Sequence, residues 1–411
     1  MKINVSQNID KRQVEAPASK SYAQRAILAA ALSEEISIIR AYGTSDDVNN
    51  CIKVAGEMGA NVNLIDVHPK TLQIKGRQNQ PDSNWHVGES GLGARLSIPI
   101  AAAITENCRI SGEGSLLKRP MNVHITALTD LGIEVKSDGG CLPIETNGQL
   151  KGGQLNLNGT DSSQYFSGLL MALPLLKEDS QLTINNLASR PYLDMTIEML
   201  HKFGIQIKEE GDTFYINGKQ TYHGLEYDVE GDWSGAAFWV VYGALKQSIG
   251  IHGLYKDSLQ ADRAILKVIE ACGAQSEWKG NELIVSPGSL KTFEFDAWNC
   301  PDLFPALVVL AAGIEGESII HGVDRLKHKE SDRGAVLQAE FAKLGLSIKI
   351  EGNQMTIVGT GSLQSGEIHS NNDHRIAMAG AIAAVLTPQG IIIDGAEAVN
   401  KSYSEFWEVM L

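Results

Sequence analysis

The 411-residue sequence predicts a mixed α/β fold with two domains, each built from three copies of one supersecondary unit. The first observation is a pattern that returns six times: a polar or Gly/Ser turn, an alanine-rich helix, a short β-branched strand, and usually a second helix that ends at a glycine. Repeats of roughly 70 residues indicate a copied structural unit. The second observation is size, because a chain of 411 residues with 43% hydrophobic residues can form two sizeable cores. Three units then fill each domain.

An alanine-rich helix leads each copy of the unit. The first is expected over residues 23–32, and Ser19 or Ser21 marks its start, because a serine side chain can cap a helix. The other five leading helices are predicted at residues 98–104, 166–175, 236–245, 305–312 and 377–385.

Strands and second helices complete the units. Strands after the leading helices are predicted at residues 36–39, around 110 and at 182–184, and second helices at 46–58, 123–131 and 195–203. Further strands are expected where apolar and polar residues alternate after the closing glycines, at residues 60–64, 133–135, 205–207 and 346–350. The chain is expected to end in a second helix at Leu411.

The boundary between the domains is predicted near residues 229–231, after the third unit. The strand at residues 2–5 has no unit of its own, so we expect it to complete the second domain. The predicted domains are therefore residues 18–229 and residues 1–17 plus 230–411, with the chain crossing twice between them.

Charge and composition exclude several classes of function. A formal net charge of −14 argues against a general nucleic-acid surface, which needs an excess of Lys and Arg. No apolar run approaches ~20 residues and the N-terminus does not resemble a signal peptide, so we expect no membrane span and a cytoplasmic protein. The five cysteines are scattered without metal-ligand spacing, which predicts reduced thiols and no metal site.

The start of the first leading helix has the residues of an anion site. Lys20 and Ser21 stand at the helix N-terminus, where unpaired backbone N–H groups and the helix dipole favour negative charge. Arg25 follows Ser21 by four residues and so lies on the same face. Taken alone, this stretch is more typical of a capping serine with solvated surface cations, so the argument for an anion site depends on the recurrence of similar stretches.

Polar clusters recur at equivalent places in the units, either at a helix start or just after the following strand. They are Arg119, Ser162–Gln164, Ser189–Tyr192, Asp302, Lys327–Arg333, Asp373–Arg375 and Lys401. A charge run such as KHKESDR is usually solvated when taken alone. Because ligands of α/β folds gather at such positions, we interpret these clusters as one divided site for a multiply anionic ligand. His374 either contacts that ligand or only orients the sixth leading helix.

Seven motifs together resemble the EPSP synthase (3-phosphoshikimate 1-carboxyvinyltransferase) family. They are SKSYAQRAILAAAL, SSQYFSGLLMALPL, SRPYLD, EGDWSGAAF, PDLFPAL, KESDR and NDHRIAMAGA, in the order and spacing of the family over essentially the whole chain. The resemblance implies two domains of three βαβαββ units each, an inside-out α/β barrel typical of enolpyruvyl transferases, with the active site in the cleft between the domains. It also implies domain closure on the substrates.

The implied reaction transfers the enolpyruvyl group of phosphoenolpyruvate to the 5-hydroxyl of shikimate 3-phosphate through a tetrahedral intermediate and releases phosphate. By the motifs, Asp302 accepts the hydroxyl proton, Glu330 protonates the methylene carbon, and Lys20 bridges both substrates. No metal or organic cofactor is implied, because alignment and charge stabilisation can carry the reaction.

The resemblance also implies the binding residues. Shikimate 3-phosphate is expected to contact Lys20, Ser21, Arg25, Ser162, Ser163, Gln164, Ser189, Tyr192, Asp302 and Lys329. Phosphoenolpyruvate is expected to contact Lys20, Gly91, Arg119, Gln164, Arg333, Arg375 and Lys401, since arginine suits bidentate recognition of carboxylate and phosphate. By the same resemblance the protein is expected to be a monomer.

Two motifs depart from the family. The common KTFP-like ending appears as Lys401-Ser402-Tyr403-Ser404, which keeps the lysine without the proline. The usual NAGTxxR is Glu89-Ser90-Gly91-Leu92-Gly93-Ala94-Arg95 here, so the glycine and the arginine remain while the asparagine and threonine are replaced. This segment bears on phosphoenolpyruvate contacts and on inhibitors of that pocket such as glyphosate.

Three other readings are weaker. The enolpyruvyl transferases that act on UDP-N-acetylglucosamine have GxKN in place of SKS and usually a reactive loop cysteine, whereas Cys108 here lies on a predicted strand. RNA-end cyclases share similar units, but this acidic chain lacks the basic surface expected of them. A non-catalytic binding homologue is disfavoured by the retained Lys20, Asp302, Glu330 and Arg333.

Overall fold

The predicted mixed α/β fold is confirmed in a computed structural model of the chain, which describes residues 1–327 and 329–411. The contacts divide these residues into two units. The continuous unit is Ala18–Val229, and the split unit joins Met1–Pro17 to Glu230–Leu411. Among the described residues, no helix combines the length and the apolar character that a membrane crossing requires.

Two strands from the N-terminus belong to the split unit, β1 (Lys2–Val5) and β2 (Gln13–Glu15). The continuous unit then contains α1 (Lys20–Leu32), β3 (Ser37–Arg40), α2 (Asp46–Glu57), β4 (Asn61–Val67), β5 (Lys70–Lys75), β6 (Asn84–His86), α3 (Gly91–Ile104), β7 (Asn107–Ser111), α4 (Asn122–Asp130), β8 (Glu134–Asp138), β9 (Cys141–Asn147), β10 (Gln154–Asn158), α5 (Gln164–Ala172), β11 (Ser180–Asn185), α6 (Arg190–Lys202), β12 (Lys208–Glu210), β13 (Thr213–Ile216) and β14 (Glu226–Asp228). Short 3-10 helices span Gly114–Lys118 and Leu173–Leu175.

The split unit resumes after residue 229. Its helices and strands are α7 (Trp233–Leu245), β15 (Ile249–His252), α8 (Ile265–Ala271), β16 (Gln275–Lys279), β17 (Glu282–Ser286), β18 (Glu294–Asp296), α9 (Phe304–Ala312), β19 (Gly316–His321), α10 (Arg333–Ala342), β20 (Ser347–Glu351), β21 (Gln354–Gly359), β22 (Gly366–His369), α11 (His374–Ala383), β23 (Ile391–Asp394) and α12 (Phe406–Met410). Its 3-10 helices are Ala261–Ala264, Pro301–Leu303, Val323–Leu326, Ala384–Leu386 and Ala396–Lys401.

Each unit contains three small sheets of one design. In the continuous unit the strand orders are β14-β3-β5-β4, β6-β7-β9-β8 and β10-β11-β13-β12. In the split unit they are β2-β15-β17-β16, β18-β19-β21-β20 and β22-β23-β1. In five of these sheets the first two strands of the order, such as β6 and β7, pair in parallel. The last two strands form an antiparallel hairpin, such as β9 with β8. In the sixth, β1 takes the place of the hairpin and pairs antiparallel with β23, with Ile3 opposite Ile393.

The leading helices form the cores because they are apolar on all sides. In α1 every residue from Tyr22 to Leu32 is buried, and in α7 every residue from Trp233 to Ala244. The second helix α2 buries one stripe only, including Val48, Cys51 and Val54. A helix that is apolar all round requires cover on every side, which the sheets and the other leading helices supply.

Most predicted elements are present, with two corrections. The helix predicted at residues 98–104 begins at Gly91, because Ser90 caps it by accepting a hydrogen bond from the Gly93 N–H at 3.1 Å. Residues 205–207 form no strand, and the strand β12 begins only at Lys208. There the Gln220 side chain binds the backbone N–H and carbonyl of Gln206, at 2.7 and 3.0 Å, and so occupies the groups that strand pairing would use.

Candidate active site

The leading helices of the continuous unit begin at serines. Ser19, Ser90 and Ser163 are the N-cap residues of α1, α3 and α5. Ser19 accepts from the Tyr22 N–H and Ser90 from the Gly93 N–H, so each cap is neutral. A neutral cap leaves the positive end of the helix dipole uncompensated, which suits a bound anion.

Arg25 is a fully buried cation held by neutral groups. Its Nε donates to Thr196 Oγ1 at 2.7 Å and its Nη1 to the Ser21 carbonyl at 2.8 Å. Its Nη2 donates to the Tyr192 carbonyl at 2.9 Å and to Ser167 Oγ at 3.4 Å. Burial lowers the pKa of the guanidinium to about 10. Four of five N–H groups are thereby oriented, and within residues 1–327 and 329–411 no carboxylate forms a salt bridge with this cation.

Lys20 is the first residue of α1, and its ammonium donates to Asp47 Oδ2 at 3.0 Å. Both side chains are largely shielded from solvent, with exposed fractions of 14% and 12%. Asp47 lies in the first turn of α2, so the two helix starts of the first repeat meet at this pair. The ammonium is therefore positioned beside the serine-capped start of α1.

Gly91 and Arg119, two of the predicted phosphoenolpyruvate residues, lie against each other. A Cβ added to Gly91 would lie 2.6 Å from Arg119 Nη1 and 3.0 Å from Arg95 Nη1. A side chain at this position would therefore displace one or both guanidinium groups from the backbone. Arg95 Nη1 also donates to Gln164 Oε1 at 3.1 Å, which connects Gln164 to the same cluster.

The predicted phosphate-binding serines lie at the starts of α5 and α6. Ser162 Oγ accepts from the Gln164 N–H at 3.3 Å, and the Ser163 carbonyl accepts from the Ser167 N–H. Ser189 is the N-cap residue of α6 in a left-handed conformation, with φ of 56°. A positive φ costs a non-glycine residue roughly 1 kcal/mol or more and is often found at functional sites.

In the split unit, Arg333 connects three carboxylates. Its Nη1 donates to Asp302 Oδ1 at 2.7 Å and its Nη2 to Glu330 Oε2 at 2.7 Å. Its Nε donates to Asp373 Oδ2 at 2.9 Å, and Nη2 also reaches Asp373 Oδ1 at 3.2 Å. Burial lowers the pKa of Arg333, but these carboxylates raise that pKa by more. The two predicted catalytic carboxylates, Asp302 and Glu330, are thus held by one buried guanidinium.

Asp302 has two further cationic partners. Lys329 Nζ lies 3.1 Å from its Oδ1, and Arg375 Nη2 lies 3.2 Å from its Oδ2. Burial raises the pKa of the Asp302 carboxyl, while Arg375, Lys329 and Arg333 lower it by more, so that pKa lies well below its ordinary value. For the Lys329 ammonium, burial lowers the pKa. Asp302 is therefore ionised, with about a fifth of its side chain accessible to solvent.

Asp373 organises the start of α11. Besides Arg333, it accepts from the Arg375 N–H at 2.9 Å and from Ser331 Oγ at 3.1 Å. Lys401 Nζ donates to the carbonyl of the preceding residue, Asn372, at 3.0 Å. Lys401 is thereby tied to the same turn as Asp373 and Arg375. His374, the first residue of α11, is buried, and His328 of the KHKESDR run lies outside the described residues.

Three residues of these clusters had no catalytic or substrate-binding role assigned to them from the sequence. Arg95 contacts Gln164 and also lies over the Tyr165 ring, 4.8 Å from its centroid. Asp373 bridges Arg333 and Arg375. Asp262 is buried and accepts a hydrogen bond from Ser234 Oγ. The retained arginine of ESGLGAR was the only signal for Arg95, and NDHR was the signal for Asp373.

The candidate site residues of each unit act through their charges and their hydrogen bonds. In the described residues no three His, Cys, Asp or Glu side chains are grouped so that they could hold a metal ion. The split unit gathers three cations and three carboxylates, Lys329, Arg333 and Arg375 with Asp302, Glu330 and Asp373. The continuous unit presents serine-capped helix starts with Lys20, Arg25 and Arg119. These groups can bind anionic groups and move protons.

Comparison with known proteins gives a consistent result. The family model of EPSP synthase (3-phosphoshikimate 1-carboxyvinyltransferase) matches residues 6–410. A 3-phosphoshikimate 1-carboxyvinyltransferase of Clostridium kluyveri is 39% identical over 402 residues, which cover 96% of this chain and 93% of the relative. One from Clostridium perfringens is 38% identical over 404 residues, covering 97% and 95% of the two chains.

Solved structures agree with the sequence comparison. The EPSP synthase of Acinetobacter baumannii superimposes with a TM-score of 0.82 at 26% identity, covering 99% of this chain and 97% of that one. The enolpyruvyl transferase NikO of Streptomyces tendae has a TM-score of 0.81 at 15% identity, with 100% and 96% covered, and shares the fold. With a family model matched over nearly its whole length, the chain belongs to the EPSP synthase (3-phosphoshikimate 1-carboxyvinyltransferase) family.

Proposed function

We propose that this protein transfers the enolpyruvyl group of phosphoenolpyruvate to the 5-hydroxyl of shikimate 3-phosphate and releases phosphate. The observation that carries the proposal is the pair of carboxylates, Asp302 and Glu330, on the single buried guanidinium of Arg333. Addition across an enol double bond requires one group that removes a proton and another that delivers one. A fixed pair of carboxylates supplies both groups.

In the addition step the 5-hydroxyl oxygen bonds to C2 of phosphoenolpyruvate while its proton passes to Asp302. Glu330, entering this step as the carboxylic acid, delivers its proton to the methylene carbon, which becomes a methyl group, and is left as the carboxylate. The product is a tetrahedral ketal that carries the phosphate. In the elimination step the methyl group returns one proton to a carboxylate, the C2–O bond to phosphate breaks, and the enolpyruvyl ether forms.

The charges around Asp302 are suited to its role as the base. Its low pKa keeps it ionised before the substrates bind. Each substrate brings a carboxylate and a phosphate, and nearby negative charge raises the pKa of a carboxyl group. Binding of both substrates therefore makes Asp302 a stronger base at the moment when it must accept the hydroxyl proton.

The binding residues are assigned by the family motifs and supported by their geometry. Arg25 is a buried cation with neutral partners, and it is assigned to the shikimate carboxylate together with Ser21. The shikimate phosphate is assigned to Ser162, Ser163 and Ser189, which lie at helix starts. The remaining shikimate contacts are assigned to Lys20, Gln164, Tyr192 and Lys329.

Phosphoenolpyruvate is assigned to the Gly91 backbone with Lys20, Arg119, Gln164, Arg333, Arg375 and Lys401. Arg333 differs from the others because four of its five N–H groups already donate to carboxylates. Its main role is therefore to hold Asp302 and Glu330, and one N–H remains for the substrate. In the continuous unit, Gly91 and Arg119 lie against each other and are assigned to direct recognition of the anion.

The test is phosphate release from phosphoenolpyruvate with shikimate 3-phosphate, beside matched reactions with UDP-N-acetylglucosamine and without an acceptor. We expect release only with shikimate 3-phosphate. Release with the nucleotide sugar would assign the chain to the other acceptor. Binding of shikimate 3-phosphate without any release would mean that the fold is kept and the chemistry is lost.

A further inference from the structure

The turn that precedes α3 carries a carboxylate with an unassigned role. Glu89 is half-buried, and its Oε2 accepts from the Ser115 N–H at 3.2 Å and from Ser115 Oγ at 3.3 Å. Ser115 lies in the 3-10 helix Gly114–Lys118, which leads directly to Arg119. The Glu89 carboxylate thus caps the start of the segment that carries a predicted substrate-binding arginine.

Gly114 shows how closely the carboxylate approaches this segment. A Cβ at Gly114 would lie 2.3 Å from the carboxyl carbon of Glu89 and 2.5 and 2.6 Å from its two oxygens. The φ of Gly114 is also positive, at 58°. The backbone conformation favours glycine at this position, and a Cβ there would also displace the Glu89 carboxylate that lies against it.

The far end of the same segment meets the same turn. Arg119 follows the 3-10 helix, its N–H donates to the Leu116 carbonyl at 3.0 Å, and Leu116 is fully buried. The Arg119 Nη1 lies against the open face of Gly91, only two residues after Glu89. Glu89 thus anchors one end of the segment, and Gly91 receives the guanidinium at the other end.

We propose that Glu89 is a positioning residue for phosphoenolpyruvate binding, whose carboxylate fixes the segment Gly114–Lys118 and thereby the position of the Arg119 guanidinium. This inference rests on the proposed function for its effect on substrate. The family's usual asparagine is one methylene shorter than glutamate. The longer Glu89 side chain of this protein reaches Ser115. Glu89 acts through Arg119 and does not itself touch the substrate.

The kinetic test compares Glu89→Ala and Glu89→Gln with the wild type. Loss of two hydrogen bonds to a charged group corresponds to at least about a tenfold effect, so Glu89→Ala should raise the KM for phosphoenolpyruvate roughly tenfold. The KM for shikimate 3-phosphate should stay within about twofold. Glu89→Gln keeps the length and one acceptor oxygen, so it should restore most of the affinity.

A matched control and a double mutant separate positioning from general destabilisation. Glu113→Ala removes an exposed carboxylate next to the same segment and should leave both KM values unchanged. In an Arg119→Ala background, Glu89→Ala should add less than about twofold, because its effect passes through Arg119. An equal rise of both KM values in Glu89→Ala, or full additivity with Arg119→Ala, would overturn the proposal.

The positioning role of Glu89 can also be tested without measuring turnover, and so separately from the proposed reaction. Hydrogen–deuterium exchange should be faster across Gly114–Lys118 in Glu89→Ala than in the wild type or in Glu113→Ala. If the wild type releases no phosphate, the proposed function fails while this exchange experiment still decides whether Glu89 holds the segment. Unchanged exchange at Ser115 would refute the positioning role in either case.

Discussion

The two units begin their leading helices differently. In the continuous unit α1, α3 and α5 start at Ser19, Ser90 and Ser163. In the split unit α7 and α11 start at Asp232 and Asp373, and Asp302 lies just before α9. A neutral cap leaves the helix start free to attract an anion, whereas an aspartate cap supplies the negative charge itself.

Two buried arginines show the same contrast. Arg25 is held by hydroxyl and carbonyl oxygens, and burial lowers its pKa to about 10. Arg333 is held by Asp302, Glu330 and Asp373, which raise its pKa despite burial. The positive charge of Arg25 is not neutralised by its hydroxyl and carbonyl partners, whereas the positive charge of Arg333 is balanced by carboxylates. Under the proposed function, Arg25 would bind an anion directly, and Arg333 would mainly hold the carboxylates that move protons.

The largest expected effect is on turnover, from the carboxylates of the split unit. Asp302→Ala and Glu330→Ala should each bind shikimate 3-phosphate but turn over at least ~100-fold more slowly, because each removes a proton-transfer group. Rates of phosphate release and binding titrations check this. Asp324→Ala, which removes a half-exposed carboxylate of the same unit, is the matched control and should be active. Near-normal turnover in both catalytic variants would show that these two carboxylates do not transfer the protons.

Exchanging each buried arginine for lysine should affect different constants. Arg25→Lys loses most of the oriented N–H groups and should raise the KM for shikimate 3-phosphate by at least about tenfold, with a smaller change in kcat. Arg333→Lys cannot span three carboxylates and should mainly lower kcat. Steady-state kinetics with each substrate varied in turn measures both. The reverse pattern would mean that the roles of the two arginines are exchanged.

Ser189 tests whether a strained serine serves the ligand. Ser189→Gly removes the hydroxyl and relaxes a φ of 56°, so the KM for shikimate 3-phosphate should rise roughly tenfold without loss of unfolding free energy. Asn186→Gly relaxes a φ of 54° in the same strand-to-helix connection and should leave that KM unchanged. Urea unfolding and kinetics report the two quantities separately. An unaltered KM in Ser189→Gly would remove this serine from the phosphate site.

The smallest effect concerns pH, where each unit buries one titrating group of opposite sign. Burial, together with Arg95, lowers the pKa of His124 from 6.5 to about 3, so the unfolded state binds more protons between these values and stability rises with pH. Burial and Asp302 raise the pKa of Asp262 from 3.8 to about 6, so the folded state binds more protons there and stability falls as pH rises. The two slopes oppose each other between about pH 4 and 6, each at most about 1.4 kcal/mol per pH unit.

Removing one group should reveal the slope of the other. In His124→Phe the free energy of unfolding should fall as the pH rises from 4 to 6, and in Asp262→Asn it should rise. Urea denaturation at several pH values measures both slopes. Asp257→Asn changes an exposed residue of the split unit, and its free energy of unfolding should depend on pH as that of the wild type does. Equal slopes in the two variants would contradict the assigned pKa directions.

Local signals in the sequence were sufficient for much of the fold. Ser19 marked the start of α1 because capping depends on residues close in sequence. The start of α3 at Gly91 is also capped locally, by Ser90, but the glycines that follow this serine are more typical of a turn and hid the signal. The alternation at residues 205–207 was misleading because a distant side chain, Gln220, binds the backbone there.

The candidate site was predictable in part for the same reason. The four-residue spacing of Ser21 and Arg25 correctly placed them on one face, and Arg25 Nη1 binds the Ser21 carbonyl. The link between Arg333 and Asp373 joins residues 40 positions apart, so no local pattern reveals it. Arg333 and Asp373 each lie in a family motif, KESDR and NDHRIAMAGA. That the Arg333 guanidinium holds three carboxylates is visible only in the fold.

The pairing of β1 with β23 has a consequence for the order in which the protein can fold during synthesis. The continuous unit is complete once residue 229 has left the ribosome, whereas Lys2–Val5 needs Ile391–Asp394 as its partner. At about 5–20 residues per second, this first strand waits roughly 20 to 80 s for its neighbour. A strand that is synthesised early is thus among the last to find its partner, and a nascent chain halted after residue 229 has emerged from the ribosome should already hold one folded half.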